Sequence, residues 1–275
     1  MIPWLHIDSA VLPGGGELRL KRRGAEFSIM AGTTELMNSR LSGSEQALAT
    51  LAADRLDRPS AASHSSTASH ASARPRPAAA AAPGASARPK ILIGGLGMGF
   101  TLRAALARFG PDTAITVAEL VPAVIAWARG PMAELFDGCL DDPRVTIAAA
   151  DVTTLIRAAG PAGPRTVSQD RNAGRPSPAG QGAASPAGRF DAILLDVDNG
   201  PEGLTRAEND RLYSRAGLAA AKAALIPGGV LAVWSQGPNP AFATRLAAAG
   251  FAVDENKVRA HGSGGRKHVV WVAQA

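Results

Sequence analysis

From Lys90 onward, short and nearly continuous apolar runs alternate with longer stretches in which apolar residues recur at helical spacing. Continuous apolar runs are typical of strands that are covered on both faces. Strands that alternate with helices indicate right-handed βαβ units and a parallel sheet. The predicted strands are Lys90–Gly94, Ala114–Glu119, Val145–Ala150, Phe190–Asp196, Gly229–Ser235, Phe251–Asn256 and His268–Ala273. The predicted helices cover residues 99–109, 121–136, 152–158, 205–225 and 239–249.

The last two predicted strands are separated only by a short loop that contains Gly262, Gly264 and Gly265. Such a loop predicts an antiparallel hairpin at the end of the sheet. The fold class expected is therefore α/β, with a Rossmann-like, seven-stranded and mostly parallel sheet that ends in this hairpin. The arrangement resembles the sheet of class I methyltransferases.

A small β-meander is expected to precede the sheet. Residues alternate in Glu17–Leu20 and Glu26–Met30, and Thr33–Met37 is a candidate third strand. The next segment, Ser44–Leu56, has the spacing of an amphipathic helix. One face of this helix is expected to carry Ala47, Leu48, Leu51 and Ala52, and Ser42 or Ser44 is expected to cap it.

Two segments of low complexity divide the chain. Residues 60–89 and 160–188 consist mainly of Ala, Ser, Pro, Gly and Arg, which offer little apolar surface to offset the entropy lost on ordering. We predict a disordered linker over residues 59–89 and a disordered surface insertion at 160–188. A regulatory tail is the alternative for either segment. The expected organisation is a β-meander with its helix in residues 1–58, the linker, and a Rossmann-like adenosyl-donor-binding domain in residues 90–275.

Composition narrows the class of protein. The net charge is +6 and the isoelectric point is near 10.2, yet many arginines lie in the low-complexity segments and form no patch with interleaved aromatic residues. We therefore expect no nucleic-acid partner. The sequence lacks a signal peptide and a membrane-spanning apolar run, so a cytoplasmic protein without a membrane partner is expected. The histidines show no ligand spacing, and Cys139 is the only cysteine, which predicts no metal site and no internal disulfide.

A glycine-rich turn follows the first predicted strand of the sheet. In the segment ILIGGLGMGF, closely spaced glycines leave an apolar strand and open a helix, a context in which a ligand can approach the backbone. The next strand ends in Glu119, whose carboxylate could accept both ribose hydroxyl hydrogens of a nucleoside. A solvated charge at a strand end is the alternative for Glu119. Dinucleotide-binding dehydrogenases share both features, so a nucleotide of some kind is expected at this stage.

Two more strands of the predicted sheet end in carboxylates. Asp151 follows the third strand and Asp196 follows the fourth, with Asp198 in the loop beyond. Because the carboxyl ends of parallel strands meet at one edge, where open α/β sheets bind ligands, these groups should lie together. Asp151 suits the adenine amino group, with a helix N-cap as the alternative. Asp196 is the candidate for contact with the reacting group.

Several segments together resemble the spermidine synthases, or polyamine aminopropyltransferases. GGLGMG occupies the place of the family's GGGDG turn, ELVPAVI resembles EIDPAVV, and DDPRV is similar to the segment before the third strand. DVDNGP resembles the DSSDPxGP catalytic loop, and LIPGGVLAVWSQGP the strand that follows it. The meander and LMNSRLSGSEQALATLA fit the family's small β-domain and helix. The resemblance covers nearly the whole chain outside the two low-complexity segments.

The resemblance implies a transferase of polyamine biosynthesis. Decarboxylated S-adenosylmethionine would bind, a polyamine nitrogen would attack the carbon beside the sulfonium, and methylthioadenosine would leave. Glu119 would hold the ribose, Asp151 the adenine, and Asp196 would orient the amine or receive its proton. The predicted catalytic residues are Asp196 and Asp198. The predicted donor-binding residues are Gly94, Gly95, Gly97, Gly99, Glu119, Leu120, Asp151 and Val152.

Two departures from the family pattern keep other functions open. Met98 stands where the family's turn has an acidic residue, and Ala47-Leu48 stands where its helix has a Tyr-His pair. A turn without the acid would tolerate the carboxylate of intact S-adenosylmethionine, so methyl transfer to a small molecule is the second hypothesis. A non-catalytic adenosyl-binding protein is the third. The expected partner is a polyamine or another small acceptor, and a homodimer is left open.

Overall fold

The computed structural model describes residues 2–13, 15–58, 88–160, 188–197, 200–201, 211–261 and 264–275. They form one four-stranded and one seven-stranded sheet. The strands are β1 (Leu5–Val11), β2 (Glu17–Arg23), β3 (Glu26–Ala31), β4 (Thr34–Asn38), β5 (Lys90–Gly94), β6 (Ala114–Glu119), β7 (Val145–Ala149), β8 (Phe190–Leu195), β9 (Leu225–Ser235), β10 (Ala252–His261) and β11 (Gly264–Gln274). The α-helices are α1 (Gly43–Leu56), α2 (Phe100–Arg108), α3 (Pro122–Arg129), α4 (Ala133–Phe136), α5 (Val152–Ala159), α6 (Arg215–Ala224) and α7 (Pro240–Ala248).

The seven-stranded sheet confirms the predicted fold class. Its strand order is β10-β11-β9-β8-β5-β6-β7, and β5 to β9 are mutually parallel. The chain reverses between β10 and β11, and β11 inserts antiparallel between β10 and β9. This is the mostly parallel, methyltransferase-like sheet with a terminal hairpin that the sequence predicted. Both hairpin strands are longer than predicted, because their pairing continues outward to His261 and Gly264.

The central strands of the sheet are covered on both faces. Successive residues of β5 point to opposite sides, so Ile91 and Ile93 belong to one buried cluster and Leu92 to another. The first cluster includes residues of α1 and α2, and the second includes residues of α5, α6 and α7. The core is therefore double, which explains why the strands read as continuous apolar runs.

Helix α1 packs on α2 and on β9, β10 and β11. Its buried face differs from the predicted one, since Ala49 and Ala53 are buried whereas Ala47 and Leu51 remain partly exposed. Ser42 occupies the N-cap position, but its side chain makes no capping hydrogen bond. The helix contacts both α2 and the sheet. These contacts on two sides explain why its buried face is rotated from the predicted one.

The single helix predicted over 121–136 is broken, and that prediction was wrong in its length. Helix α3 ends at Arg129, and α4 begins only at Ala133. Between them stand Gly130 and Pro131, and proline cannot donate the backbone hydrogen bond that would continue a helix. The break turns the chain so that Phe136 is buried against the glycine turn, where its ring lies beside Gly99.

The N-terminal sheet is an antiparallel meander in the order β1-β2-β3-β4. The first strand, β1, was missed because its side chains are mostly exposed and a bulge between His6 and Asp8 interrupts its alternation. Asp8 accepts a hydrogen bond from Trp127 Nε1 at 2.6 Å, which joins the meander to α3. The predicted linker and insertion lie almost wholly outside the described residues, so they and the domain limits stay predictions.

No helix in the part of the chain that the structure describes is long and apolar enough to cross a membrane.

Candidate functional site

The glycine turn brings the ends of three neighbouring strands together. Gly95 has φ +90° and donates its N–H to the carbonyl of Ala118 at 2.9 Å. A β-carbon at this position would collide with the carbonyl oxygen of Asp196, so only glycine allows β5 and β8 to approach here. Gly97 has φ +51° and lies against Met37 of β4. The turn is thus held between the sheet and the meander.

Glu119 is buried at the end of β6. The alternative that it is a solvated charge at a strand end is therefore wrong. Its carboxylate accepts the backbone N–H of Leu96 at 3.0 Å and of Val121 at 2.8 Å. Burial raises the pKa of Glu119, and these backbone hydrogen bonds oppose the shift. The backbone N–H groups of Gly97 and Leu120 act in the same sense. Glu119 therefore orders the glycine turn, and it also lines the cavity described below.

Asp151 performs the alternative role that the sequence allowed. Its Oδ1 accepts the N–H of Thr153 at 2.7 Å and caps α5. The same residue lines the cavity described next, so capping does not remove it from the site. The cap fixes the carboxylate at the carboxyl edge of the sheet.

A first chamber lies between the meander and the carboxyl edge of the sheet. Its roof comes from the meander and includes Leu36 and Met37. Its floor comes from the ends of β5 to β8. The predicted site residues that line it are Gly95, Gly97, Glu119, Leu120, Asp151, Val152 and Asp196. Mostly apolar walls with a few carboxylates match the usual character of a small-molecule site.

A second chamber adjoins the first. It is lined by residues of β4 and α1, by the glycine turn with the start of α2, and by Trp234 at the end of β9. The two chambers share four lining residues, namely Leu36, Met37, Gly97 and Asp196. Asp196 therefore stands where the two spaces meet, and Thr101 Oγ1 donates a hydrogen bond to its Oδ2 at 2.8 Å.

Glu45 is the site residue that sequence reasoning missed. It lies in the first turn of α1, lines the second chamber with Asp196, and accepts a hydrogen bond from Ser44 Oγ at 2.8 Å. Its position resembles an ordinary acidic residue at a helix N-terminus, which the helix dipole favours. No local pattern distinguishes it, because the packing of α1 across the sheet is what brings it to Asp196.

The two carboxyl groups perturb one another. Burial, followed by the nearby charge of Glu45, raises the pKa of Asp196 from 3.8 to about 7, and the Thr101 hydrogen bond acts in the opposite sense. Burial also raises the pKa of Glu45. A carboxyl group with a pKa near neutrality can accept a proton from a substrate and release it again at the same pH. Asp196 is suited to act as a general base.

Stability should depend on pH through this pair. Because the folded-state pKa of Asp196 is raised, its contribution to the free energy of unfolding is fully present below the unfolded pKa and is lost as pH rises through about 7. We expect the free energy of unfolding to fall from about pH 5 to about pH 8, and Asp196→Asn to reduce this fall by about 1–3 kcal/mol. Urea titrations at both pH values, with the exposed Asp112→Asn as control, measure it. Equal slopes in wild type and Asp196→Asn would contradict the assignment.

The remaining predicted residues lie elsewhere. Gly94 packs under Val152 and Leu195, and Gly99 begins α2 beside Phe136, so both serve packing rather than the chamber walls. Asp198 lies outside the described residues. Met98 lines the second chamber and not the first. Within the described ranges, no cluster of three or more His, Cys, Asp or Glu side chains is placed to hold a metal ion.

Comparison with known proteins agrees with this architecture. A polyamine aminopropyltransferase of Mycobacterium tuberculosis is 30% identical over 148 residues, which make up 54% of this chain and 23% of that protein. The solved spermidine synthase of Thermotoga maritima superposes with a TM-score of 0.61 at 15% identity, covering 98% of this chain and 72% of that one. The chain resembles the polyamine aminopropyltransferases. No protein-family model matches it.

A second solved spermidine synthase was determined in complex with the transition-state analogue AdoDATO. It superposes with a TM-score of 0.60 at 15% identity and covers 98% of this chain and 72% of that one. These likenesses confirm the fold, including the meander ahead of the sheet. The chain spans about a quarter of the length of the curated relatives that it matches.

Proposed function

We propose that this chain transfers an aminopropyl group from decarboxylated S-adenosylmethionine to a small amine. The observation that supports it is the place of Asp196, a carboxyl group with a pKa near neutrality at the junction of two chambers. A donor in the first chamber and an amine in the second would meet there. Residues 1–58 would supply the roof and α1, and residues 90–275 the floor. The reaction would take place in the cytoplasm, and a homodimer is left open.

The first chamber suits an adenosyl group. Its apolar walls can enclose a purine, the Glu119 carboxylate in the wall could accept the ribose hydroxyl hydrogens, and Asp151 lies at the neighbouring strand end for the adenine amino group. The likeness to a spermidine synthase that binds AdoDATO supports the same ligand class. Gly97 and Met37 would pack on the donor chain where it passes into the second chamber.

The second chamber suits a cationic acceptor. The charged side chains that line it are Glu45 and Asp196, and Trp234 forms part of the wall. Carboxylates attract an ammonium group, and an aromatic face adds a cation–π attraction. An ammonium ion is not a nucleophile, so Asp196 would remove its proton before the nitrogen attacks. The carbon–sulfur bond breaks as the carbon–nitrogen bond forms, and its electron pair stays on sulfur as the thioether of methylthioadenosine.

The decisive experiment is product analysis. The protein is incubated with decarboxylated or intact S-adenosylmethionine and a panel of diamines and polyamines, and methylthioadenosine and S-adenosylhomocysteine are quantified. We expect methylthioadenosine, in amounts equal to the aminopropylated amine, only with the decarboxylated donor and an amine. The Asp196→Asn variant, assayed under the same conditions, gives the background amount of each product.

Other products would identify the other hypotheses. S-adenosylhomocysteine from the intact donor would replace the proposal with methyl transfer. Donor binding in calorimetry without any product would instead favour a non-catalytic adenosyl-binding protein. If neither donor binds, both transferase hypotheses are wrong.

A further inference from the structure

A chain of hydrogen bonds leads from the second chamber to His268. Ser44 Oγ lies 2.8 Å from Glu45 Oε2 and 2.9 Å from His268 Nδ1, so one hydroxyl bridges a carboxylate and an imidazole. Ser44 is fully buried, and His268, on β11, is partly exposed. The ring of His268 meets the Trp234 ring edge-on, with centroids 4.8 Å apart. The chain therefore begins at the chamber wall and ends at the surface.

A bridging hydroxyl of this kind can carry a proton in two arrangements. In one, Ser44 donates to the Glu45 carboxylate and accepts from His268 Nδ1–H. In the other, a protonated Glu45 donates to Ser44, which donates to an unprotonated Nδ1. Moving from the second arrangement to the first transfers one proton from Glu45 to His268 while each oxygen and nitrogen keeps its partner.

The proposed reaction needs such an exit. An acceptor ammonium and a sulfonium donor give a secondary ammonium, a thioether and one free proton, which Asp196 receives first. With both chambers filled, Asp196 is enclosed by the donor, the acceptor and the meander. It must lose the proton before it can act again, and Glu45 lines the same chamber.

We propose that Glu45, Ser44 and His268 form a relay that carries the proton released at Asp196 out to solvent. This inference rests on the proposed function. The proton passes from Asp196 to Glu45 across the chamber, directly or through one water, and then through Ser44 to Nδ1 of His268. The partly exposed imidazolium releases one proton to solvent, and proton exchange with solvent returns the ring to the tautomer with an unprotonated Nδ1. Glu45 and Asp196 end as carboxylates and are ready for the next amine.

Among the side chains that the structure describes, the carboxyl groups beside the relay are Glu45 and Asp196, and Thr101 and Ser44 are neutral. On the hairpin, Lys267 and Arg259 pair across the two strands, and both point to the face opposite His268 and its partner Val258. Burial raises the pKa of both Asp196 and Glu45, which favours the protonated form that each carboxyl group must take in turn.

Chemical rescue tests the relay in the active protein. His268→Ala should lower kcat by about tenfold or more, leave the donor Kd nearly unchanged, and regain activity when imidazole is added to the buffer. His268→Gln, which keeps a polar side chain beside Trp234, should lose activity equally. His6→Ala, at an exposed histidine of β1, is the matched control and should not respond. Unchanged kcat in both His268 variants, or a loss that imidazole does not restore, overturns the relay.

A second readout does not need activity. Titration of His268 by NMR in the free protein should show its midpoint moving to lower pH in Glu45→Gln, because the anionic carboxylate that stabilises the imidazolium is lost. In a Ser44→Ala background, the same Glu45→Gln change should move the midpoint less. An unmoved midpoint overturns the relay even if turnover is found. If Glu45→Gln moves the His268 midpoint but the protein transfers no group to any amine, the proposed function is wrong, and the relay is wrong with it.

Discussion

Asp196→Asn is expected to lower kcat by about a hundredfold or more, while the affinity for the donor stays close to that of the wild type. Asparagine keeps the size of the side chain and can still accept the Thr101 hydrogen bond, but it cannot take a proton from an amine. In the wild type, kcat should rise as pH increases through about 7, where Asp196 loses its proton. The variant should lack this limb of the pH profile.

Steady-state kinetics across pH and calorimetry with methylthioadenosine measure the two effects. Asp112→Asn makes the same chemical change at an exposed site between α2 and β6, and it should leave both values unaltered. If Asp196→Asn retains turnover and its pH limb, Asp196 is not the base.

Glu119→Gln is expected to weaken donor binding by about ten- to a hundredfold. The wild-type carboxylate accepts backbone hydrogen bonds from Leu96 and Val121, and under the proposed function it also accepts the ribose hydroxyls. An amide has one accepting oxygen, and its NH₂ group would face a backbone N–H. The turn would loosen and the ribose would lose an acceptor at the same time.

Calorimetry with methylthioadenosine and with S-adenosylmethionine measures the loss, and thermal unfolding separates it from general destabilisation. Glu134→Gln, on an exposed face of α4, is the matched control. If Glu119→Gln binds the donor as tightly as the wild type does, Glu119 only holds the glycine turn and does not bind the ribose.

The sequence predicted the parts of the fold that depend on local patterns. Strands covered on both faces are recognisable as apolar runs, and β5, β6 and β8 lie where they were expected. The carboxyl ends of parallel strands must share an edge, so the prediction of a parallel sheet was enough to expect Glu119, Asp151 and Asp196 at the same edge. Patterns failed where exposure hid the alternation, as in β1, and at the Gly130-Pro131 break, where apolar periodicity continued through a residue that cannot propagate a helix.

The second chamber could not be found in the same way. Glu45 comes to the same chamber as Asp196 only because α1 packs on the sheet, and the hydrogen bond between Ser44 and His268 joins α1 to β11. Such contacts depend on how the helix is rotated against the sheet, and the predicted face of α1 was itself displaced. Residues so far apart in the sequence form no local pattern, so their contact cannot be predicted from a single sequence.

Cys139, the only cysteine in the sequence, has a consequence for every variant considered above. It is buried, and desolvation raises the pKa of its thiol to about 11, so at neutral pH the thiol is protonated. Opening of the region around the 3₁₀-helix Cys139–Asp141 would expose the thiol and favour the reactive thiolate. The rate at which Cys139 is alkylated therefore reports how often this region opens, and its measurement needs no engineered label.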